Sequence, residues 1–137
     1  MVDFRRVTDT LYASPQIDRD DLARAAEAGI KTIICNRPDG EEIDQPRSAD
    51  LKVDAEALGL TFLVVPFAGF PAPEIIAQQG TLIEQSPAPV LIYCRSGTRS
   101  VTAWALSQAG KADADTIIAQ AASAGYDVSG LRAALTQ

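Results

Sequence analysis

Short runs of apolar residues alternate with longer segments of helical periodicity along this chain. The apolar runs are rich in Ile, Val and Leu, and they predict strands over residues 10–13, 30–35, 61–65 and 90–94. Such alternation is typical of strands that are joined through crossover helices into a mostly parallel sheet. The sequence therefore predicts an α/β fold in which helices flank a mostly parallel sheet of four to five strands.

Helix signals occupy the segments between the predicted strands. Asp18 and Asp113 are placed as N-terminal caps, and glycines stand where helices end. The predicted helices run from Asp18 to Gly29, over Leu51, Ala55 and Leu58 to Gly59, over 74–85, from Ser100, from Asp113 to Gly125, and briefly from Ser129. The run SVTAWALSQA, which begins at Ser100, is apolar on nearly all sides and predicts a buried helix. No repeat or linker divides the chain, so residues 1–137 are predicted to form a single domain.

The composition and net charge of the chain argue against two classes of binding partner, membranes and nucleic acids. Hydrophobic residues make up 47% of the chain, and no apolar run reaches the ~18 residues of a membrane span. The net charge of -6 opposes binding to the phosphates of nucleic acids. The start MVDFRRV lacks the apolar stretch of a secretory signal. We expect a cytoplasmic protein that binds neither membranes nor nucleic acid.

The chain contains no histidine, which excludes several catalytic devices. Ser-His-Asp and Cys-His pairs, HExxH zinc sites and histidine general bases all require that side chain. The two cysteines, Cys35 and Cys94, are too few for a four-thiolate zinc site. No glycine motif for a dinucleotide is present either. We expect no metal and no organic cofactor.

The segment VLIYCRSGTRS, residues 90–100, carries the pattern that points to chemistry. It is typical of a buried strand that ends in Cys94, a loop that contains Gly97, and the start of a helix. Backbone N–H groups of a tight loop and of a helix's first turn point into one concavity and favour an anion there. Gly97 lets the backbone turn and approach a ligand. The segment therefore predicts an anion-binding cradle at the open mouth of the sheet.

Cys94 is the candidate nucleophile of this cradle. Helix N-termini and neighbouring arginines lower the pKa of a cysteine, and the thiolate is the form that attacks. The planar guanidinium of Arg99 fits two oxygens of an oxyanion, and Ser100 is placed to donate a hydrogen bond to the sulfur. Arg95 adds positive charge next to Cys94. The alternative is a cysteine buried inertly in a strand, with both arginines solvated on a loop.

The motif YCRSGTRS is one of four segments that resemble a known family. The others are IICNRPDGEEIDQP, LGLTFLVVPF and GYDVSGL, and together they extend over almost the whole chain. The sequence resembles the bacterial DUF442 family, also called the beta-lactamase-hydrolase-like phosphatase-like domain. That family is similar in fold to dual-specificity and tyrosine phosphatases, and it has also been labelled a sulfurtransferase family.

The resemblance implies roles for the residues of the loop. Cys94 is implied as the nucleophile and Arg99 as the arginine that binds the oxyanion. Ser100 stands where phosphatases usually carry Ser or Thr after this arginine. The expected substrate-binding residues are Arg95, Ser96, Gly97 and Thr98.

Two departures from the phosphatase pattern bear on the reaction. Cysteine phosphatases usually place five residues between Cys and Arg, whereas four separate Cys94 from Arg99, as in many single-domain rhodaneses. A shorter loop fits a smaller anion, which favours a sulfane sulfur on Cys94, a persulfide, over a tetrahedral phosphate. Tyr93 stands where phosphatases usually have histidine, so loop amides and arginine alone would stabilise the thiolate.

A third departure concerns the general acid that protonates the leaving group. Phosphatases carry an aspartate for this role upstream of the cysteine, but residues 55–112 hold no aspartate. The candidates on loops near the cradle are Glu74, Asp39, Glu41 and Glu42. We rank Glu74 and Asp39 equally. The structural alternatives are a first-turn helix acid for Glu74 and a solvated turn for Asp39.

Cys35 ends a predicted strand and is expected near Cys94, because the carboxyl ends of parallel strands gather at one edge. An exposed thiolate oxidises to sulfenic acid, which a nearby thiol traps as a reversible disulfide. Cys35 is therefore a candidate redox partner, with an inert buried cysteine as the alternative. Arg37 either adds positive charge at the mouth or pairs with acids of its own loop.

Three functions fit the sequence. The first is a cysteine-dependent phosphatase that forms a thiol-phosphate intermediate on Cys94, with an anionic small molecule or a phosphoprotein as substrate. The second is a rhodanese-type sulfurtransferase that carries a persulfide on Cys94. The third is an anion-binding module without catalysis. We expect the first.

Overall fold

A computed structural model describes residues 1–136 of the chain. Five strands lie within these residues, namely β1 (Arg5–Thr8), β2 (Leu11–Ser14), β3 (Thr32–Cys35), β4 (Thr61–Val64) and β5 (Val90–Tyr93). They form one sheet in the order β1-β2-β5-β3-β4. β1 runs antiparallel to β2, and the other neighbouring pairs are parallel. The predicted α/β fold with a mostly parallel sheet is confirmed.

Helices cover both faces of this sheet. They are α1 (Arg19–Glu27), α2 (Ser48–Ala57), α3 (Pro73–Gln85), α4 (Thr98–Ser107), α5 (Ala114–Ser123) and α6 (Arg132–Leu135), with a 3₁₀ turn at Ser129–Leu131. Asp18 caps α1 by accepting from the Asp21 N–H at 2.9 Å, and Asp113 caps α5 by accepting from the Thr116 N–H at 2.7 Å. Both predicted caps are confirmed. In the part of the chain that the structure describes, no helix is long and apolar enough to cross a membrane.

Two elements differ from the sequence prediction. The pattern does not predict β1, because Val7 is the single buried residue of that strand and no apolar run marks it. β1 is held at the sheet edge by its pairing with β2 rather than by its own composition. α4 begins at Thr98, two residues before the predicted start at Ser100, because Gly97 already serves as its N-cap.

The two faces of the sheet carry separate apolar clusters. One cluster packs α4 and α5 against the sheet through Trp104 and Ile117. The other packs α1 and α2 against the opposite face through Leu22 and Leu51. β5 lies in the middle of the sheet, and all four of its side chains are buried. The strand that leads to Cys94 is therefore buried against both apolar clusters.

α3 and α4 approach each other closely at Gly80. A Cβ atom at this position would lie 2.7 Å from the Cβ of Ser107, so a larger residue would force the helices apart. The Ser107 hydroxyl donates to the Trp104 carbonyl at 2.6 Å. The close packing at Gly80 holds α4 against α3. The N-terminal end of α4 carries the loop that follows Cys94.

Candidate active site

Cys94 lies directly after β5, at the edge where the carboxyl ends of the parallel strands meet. Backbone hydrogen bonds join the segments that follow these strands. The Gln16 N–H, after β2, donates to the Arg95 carbonyl at 3.1 Å. The Asn36 N–H, after β3, donates to the Tyr93 carbonyl at 2.9 Å. The chain around Cys94 is thereby tied to both neighbouring strands.

The segment from Cys94 to Arg99, which we call the Cys94 loop, has the geometry of an anion cradle. The Gly97 N–H donates to Cys94 Sγ at 3.1 Å. Gly97 adopts a left-handed φ of 97°, which residues with a side chain rarely adopt. Because Gly97 is also the N-cap of α4, the sulfur lies at the positive end of the helix dipole. One amide of the predicted cradle is thus directed at the sulfur, and the binding of an anion by this loop stays a prediction.

The hydroxyl side chains of the Cys94 loop bond to one another, whereas that of Ser100, the next residue, is unpaired in the described part of the chain. Ser96 Oγ donates to Thr98 Oγ1 at 3.0 Å and accepts from the Thr98 N–H at 3.3 Å. Ser100 Oγ is buried and has no hydrogen-bond partner among residues 1–136. The predicted hydrogen bond from Ser100 to Cys94 is therefore not formed in this structure.

Arg99 is engaged by a carboxylate. Its Nη1 and Nη2 donate to Oε2 and Oε1 of Glu41, each at 2.8 Å, and Nη1 also donates to the Phe67 carbonyl at 3.0 Å. This pair occupies both arms of the guanidinium fork, the geometry that suits two oxygens of one anion. The hydrogen bonds from Arg99 lower the pKa of Glu41 to about 2, and Glu41 raises the pKa of Arg99. Glu41, one of the candidate acids, is held ionised and has no proton to donate here.

Glu42 makes a second contact with arginines of the site. Its Oε1 accepts from Arg37 Nη2 at 3.1 Å and lies 3.0 Å from Arg95 Nη2. The Arg37 side chain is 4% exposed, and it also donates through Nε to Glu41 at 2.9 Å and through Nη1 to Gln16 at 3.1 Å. Arg37 thus pairs with acids of its own loop, one of its two predicted roles. We call the connected side chains the arginine network; its members are Arg37, Arg95, Arg99, Glu41 and Glu42.

Cys94 is fully buried in this structure, with 0% of its surface exposed. The sequence predicts a thiol that is open at the mouth of the sheet, and this expectation is wrong for the arrangement described. The Arg99 guanidinium lies beside the sulfur and is fixed by Glu41. The sulfur is therefore closed to solvent in this structure.

The two acids ranked highest from the sequence both have structural positions. Asp39 accepts from the N–H and the hydroxyl of Ser48, each at 2.8 Å, and so stabilises the start of α2. Glu74 lies exposed in the first turn of α3, where a carboxylate suits the helix dipole. A role as general acid stays a prediction for either residue. Within residues 1–136, no three His, Cys, Asp or Glu side chains are grouped as a metal site.

Cys35 ends β3 and lies opposite Tyr93 in the register with β5. Its Sγ donates to the Arg37 carbonyl at 3.5 Å. Burial raises the pKa of the Cys35 thiol and also raises the pKa of the Tyr93 hydroxyl. A protonated thiol is a poor nucleophile, so burial slows the proposed exchange. Both cysteines are free thiols, and the disulfide between Cys35 and Cys94 stays a prediction.

Tyr126 is a residue of the site that the sequence does not predict. Its hydroxyl donates to the Ser96 carbonyl at 3.0 Å, and it occupies the space where a Cβ atom on Gly97 would lie. The Arg5 guanidinium lies 5.3 Å from the centroid of the Tyr126 ring. Burial raises the pKa of Tyr126, which keeps the hydroxyl a donor. The signal available in the sequence is the segment GYDVSGL, which contains this tyrosine.

Comparison with known proteins assigns this geometry to a family. The family model for the beta-lactamase hydrolase-like protein, phosphatase-like domain, matches residues 3–111. The chain belongs to this family. The resemblance inferred from YCRSGTRS and its companion segments is confirmed.

The relatives of this chain differ in length. A beta-lactamase hydrolase-like protein of Xylella fastidiosa (strain Temecula1) is 32% identical over 125 residues, which cover 89% of this chain and 29% of that protein. The chain thus spans less than a third of that relative. The crystal structure of a candidate phosphatase from Neisseria meningitidis Z2491 is 38% identical at a TM-score of 0.86, covering 97% of this chain and 96% of that one.

A similar fold is also found at lower sequence identity. Tk-PTP in its active form matches at a TM-score of 0.68 with 18% identity, covering 96% of this chain and 92% of that one. At this identity the match concerns the fold alone. The predicted cysteine-phosphatase-like fold is confirmed, and the chain is a member of a phosphatase-like family.

Proposed function

We propose that this chain is a cysteine-dependent phosphatase in which Cys94 is the nucleophile. The observation that carries the proposal is the hydrogen bond of 3.1 Å from the Gly97 N–H to Cys94 Sγ at the start of α4. An amide and a helix dipole that are directed at a sulfur favour its anionic, nucleophilic form. Membership of a phosphatase-like family supports the same class of reaction.

The reaction consists of two displacements at phosphorus. Cys94 Sγ attacks the phosphorus of a monoester while the P–O bond to the alcohol breaks, which gives a thiol-phosphate intermediate. Glu74 or Asp39 supplies the proton to the leaving oxygen, unless the alcohol leaves as the anion. Water then attacks the phosphorus, the S–P bond breaks, and phosphate and the Cys94 thiolate are released.

Arg99 and the loop amides bind the phosphoryl oxygens in this proposal. The Glu41 carboxylate already presents two oxygens to Arg99 at 2.8 Å, and a phosphoryl group offers the same two-oxygen edge. Substrate binding therefore displaces Glu41 from Arg99 and opens the closed site. The loop residues proposed to contact the substrate are Arg95, Ser96, Gly97 and Thr98.

Phosphate release from an aryl phosphate tests this proposal. Aryl phosphates carry a good leaving group, so their turnover depends little on a general acid. We expect Cys94→Ser to abolish phosphate release, whereas Cys35→Ser, which removes the other thiol, retains it. Circular dichroism and thermal unfolding of each variant report whether it is folded. Phosphate release that survives in folded Cys94→Ser would contradict the proposal.

One observation favours a second function, sulfur transfer. Four residues separate Cys94 from Arg99 and α4 begins as early as Thr98, so the loop encloses less space than the longer loop of phosphatases. In this reaction the Cys94 thiolate attacks the outer sulfur of thiosulfate and sulfite leaves with the electron pair of the S–S bond. Cyanide then removes the outer sulfur as thiocyanate. Thiocyanate release without phosphate release would establish the transferase, and release of neither product would indicate a non-catalytic anion-binding module.

A further inference from the structure

Two adjacent acidic residues of this chain bind the arginines beside Cys94. Glu41 binds Arg99 through two hydrogen bonds of 2.8 Å. Glu42 binds Arg95 at 3.0 Å and Arg37 at 3.1 Å. Two separate carboxylates are therefore held at the same time, Glu41 on Arg99 and Glu42 on Arg95, and Arg37 contacts both of them. The chain supplies an internal ligand that has two anionic groups.

The charge balance of the arginine network opposes displacement by a ligand with one anionic group. Three guanidinium groups face two carboxylates, and Arg37 is 4% exposed. A buried cation that loses its counter-ion strongly destabilises the protein. Because Glu41 and Glu42 are neighbours on one loop, opening of that loop removes both carboxylates together. The ligand that replaces them must bring negative charge to Arg99 and also to Arg95 and Arg37.

We propose that this site selects compounds that carry two anionic groups, one bound by Arg99 beside Cys94 and the other by Arg95 and Arg37. The Arg95 side chain is 68% exposed, so it is accessible to a ligand once Glu42 leaves. If the proposed phosphatase reaction holds, on which this assignment rests, the group on Arg99 is the phosphoryl group that Cys94 attacks. The second group is a phosphate or a carboxylate of the same molecule, and Arg95 is the residue that determines specificity.

Binding of two non-hydrolysable ligands tests the proposal without turnover. Methylphosphonate has one anionic group and methylenediphosphonate has two, and isothermal titration calorimetry at fixed salt gives both affinities. We expect the wild-type protein to bind the diphosphonate at least tenfold more tightly. Arg95→Gln should lower the diphosphonate affinity about tenfold, the effect of one charge-assisted contact, and lower the methylphosphonate affinity far less.

Arg132→Gln is the matched control for a general effect of charge. Arg132 is also exposed, and it pairs with Asp115 on α5 rather than with the arginine network. We expect this variant to keep the wild-type preference for the diphosphonate. Equal losses in Arg95→Gln and Arg132→Gln would show that net charge, not a second subsite, sets the preference, and would overturn the inference.

Two further outcomes separate this inference from the proposed function. Equal wild-type affinity for the two ligands overturns the two-group site. If the same sample hydrolyses the aryl phosphate, the proposed phosphatase function is unaffected by that result. Binding of neither ligand also overturns the two-group site. Loss of aryl phosphate turnover in addition would then remove the proposed function as well.

Discussion

Gly97 and Tyr126 together determine which way the backbone of the Cys94 loop faces. The Gly97 N–H points inward to Cys94 Sγ, while the carbonyl of the preceding Ser96 points outward and accepts from the Tyr126 hydroxyl. The two contacts lie on opposite sides of one peptide unit. Loss of the Tyr126 hydrogen bond should therefore change the orientation of the Gly97 N–H that donates to Cys94 Sγ.

Tyr126→Phe removes the outer hydrogen bond and keeps the ring under Arg5. We expect kcat/KM for an aryl phosphate to fall about tenfold, because the Gly97 amide loses its orientation, and its pH profile to shift. The free energy of unfolding should fall by about 1 kcal/mol. Tyr12→Phe, on β2, is the control and should keep the wild-type pH profile. An unshifted profile in Tyr126→Phe would limit the hydroxyl to a role in stability.

Gly97→Ala places a methyl group in the space that Tyr126 occupies and imposes a φ of 97° on alanine. Both effects raise the free energy of the folded state, and we expect a loss of about 2 kcal/mol or more in the free energy of unfolding. Gly130→Ala is the matched control, because nothing lies within 4 Å of its Cβ position. Urea denaturation measures both variants, and similar losses in the two would contradict the steric explanation.

The loop between β3 and α2 contacts both the start of α2 and Arg99. Its Asp39 stabilises the start of α2 through Ser48, and its Glu41 binds Arg99, which lies 58 positions further along the chain. The sequence identifies both Glu41 and Arg99 as candidate site residues. It does not pair them, because the contact forms after β3 and β5 are placed side by side. The closed state of the site is a property of this loop.

Glu41→Gln tests how much the ion pair between Glu41 and Arg99 stabilises the folded protein. Arg99 lowers the pKa of Glu41 from 4.5 to about 2, so the ionised carboxylate stabilises the folded state above pH 4.5, and this contribution is lost as the pH falls through about 2. We expect the wild type to unfold at a higher temperature than Glu41→Gln near neutral pH, with a difference that shrinks below pH 4.5. Glu84→Gln, at an exposed pair with Lys111, should change little. A difference that grows on acidification would contradict the assignment.

Strands and helix caps with local signals could be predicted from the sequence, whereas β1 could not. The runs at β3 and β5 are fully buried, so hydrophobicity alone marks them. Asp18 caps α1 through a residue three positions away, which is also a local signal. β1 depends on pairing with β2, and its composition is largely polar. Tyr126 cannot be predicted as a site residue for the same reason, since its partner Ser96 lies 30 positions away.

At the scale of the whole molecule, a buried amide pair joins the carboxyl edge of the sheet to α3. Asn36 Nδ2 donates to Gln79 Oε1 at 2.9 Å, and Gln79 Nε2 donates to Asn36 Oδ1 at 2.8 Å. Both residues are 0% exposed. The sequence does not reveal this pair, because polar residues buried at a distance leave no periodic signal. It ties the first residue after β3 to the helix that packs on α4.

Gln79→Ala should lower the free energy of unfolding by about 3 kcal/mol, since it creates a cavity and leaves Asn36 Oδ1 without its donor, while Asn36 Nδ2 keeps its hydrogen bond of 3.0 Å to the Val65 carbonyl. The double variant with Asn36→Ala should lose less than the sum of the single variants, with a coupling of about 1 kcal/mol. Denaturant titrations of the four proteins measure this cycle. Strictly additive losses would show that the two amides do not support each other.

The enclosure of Cys94 has a practical consequence for covalent chemistry. With 0% of the residue exposed and Arg99 held by Glu41, bulky maleimides should label this sulfur slowly, while hydrogen peroxide and other small electrophiles should reach it sooner. A screen of reactive fragments against the resting protein would therefore label Cys94 poorly. Fragments with an acidic group that replaces Glu41 on Arg99 should expose the sulfur with which they react. Inhibitor discovery should begin with such fragments.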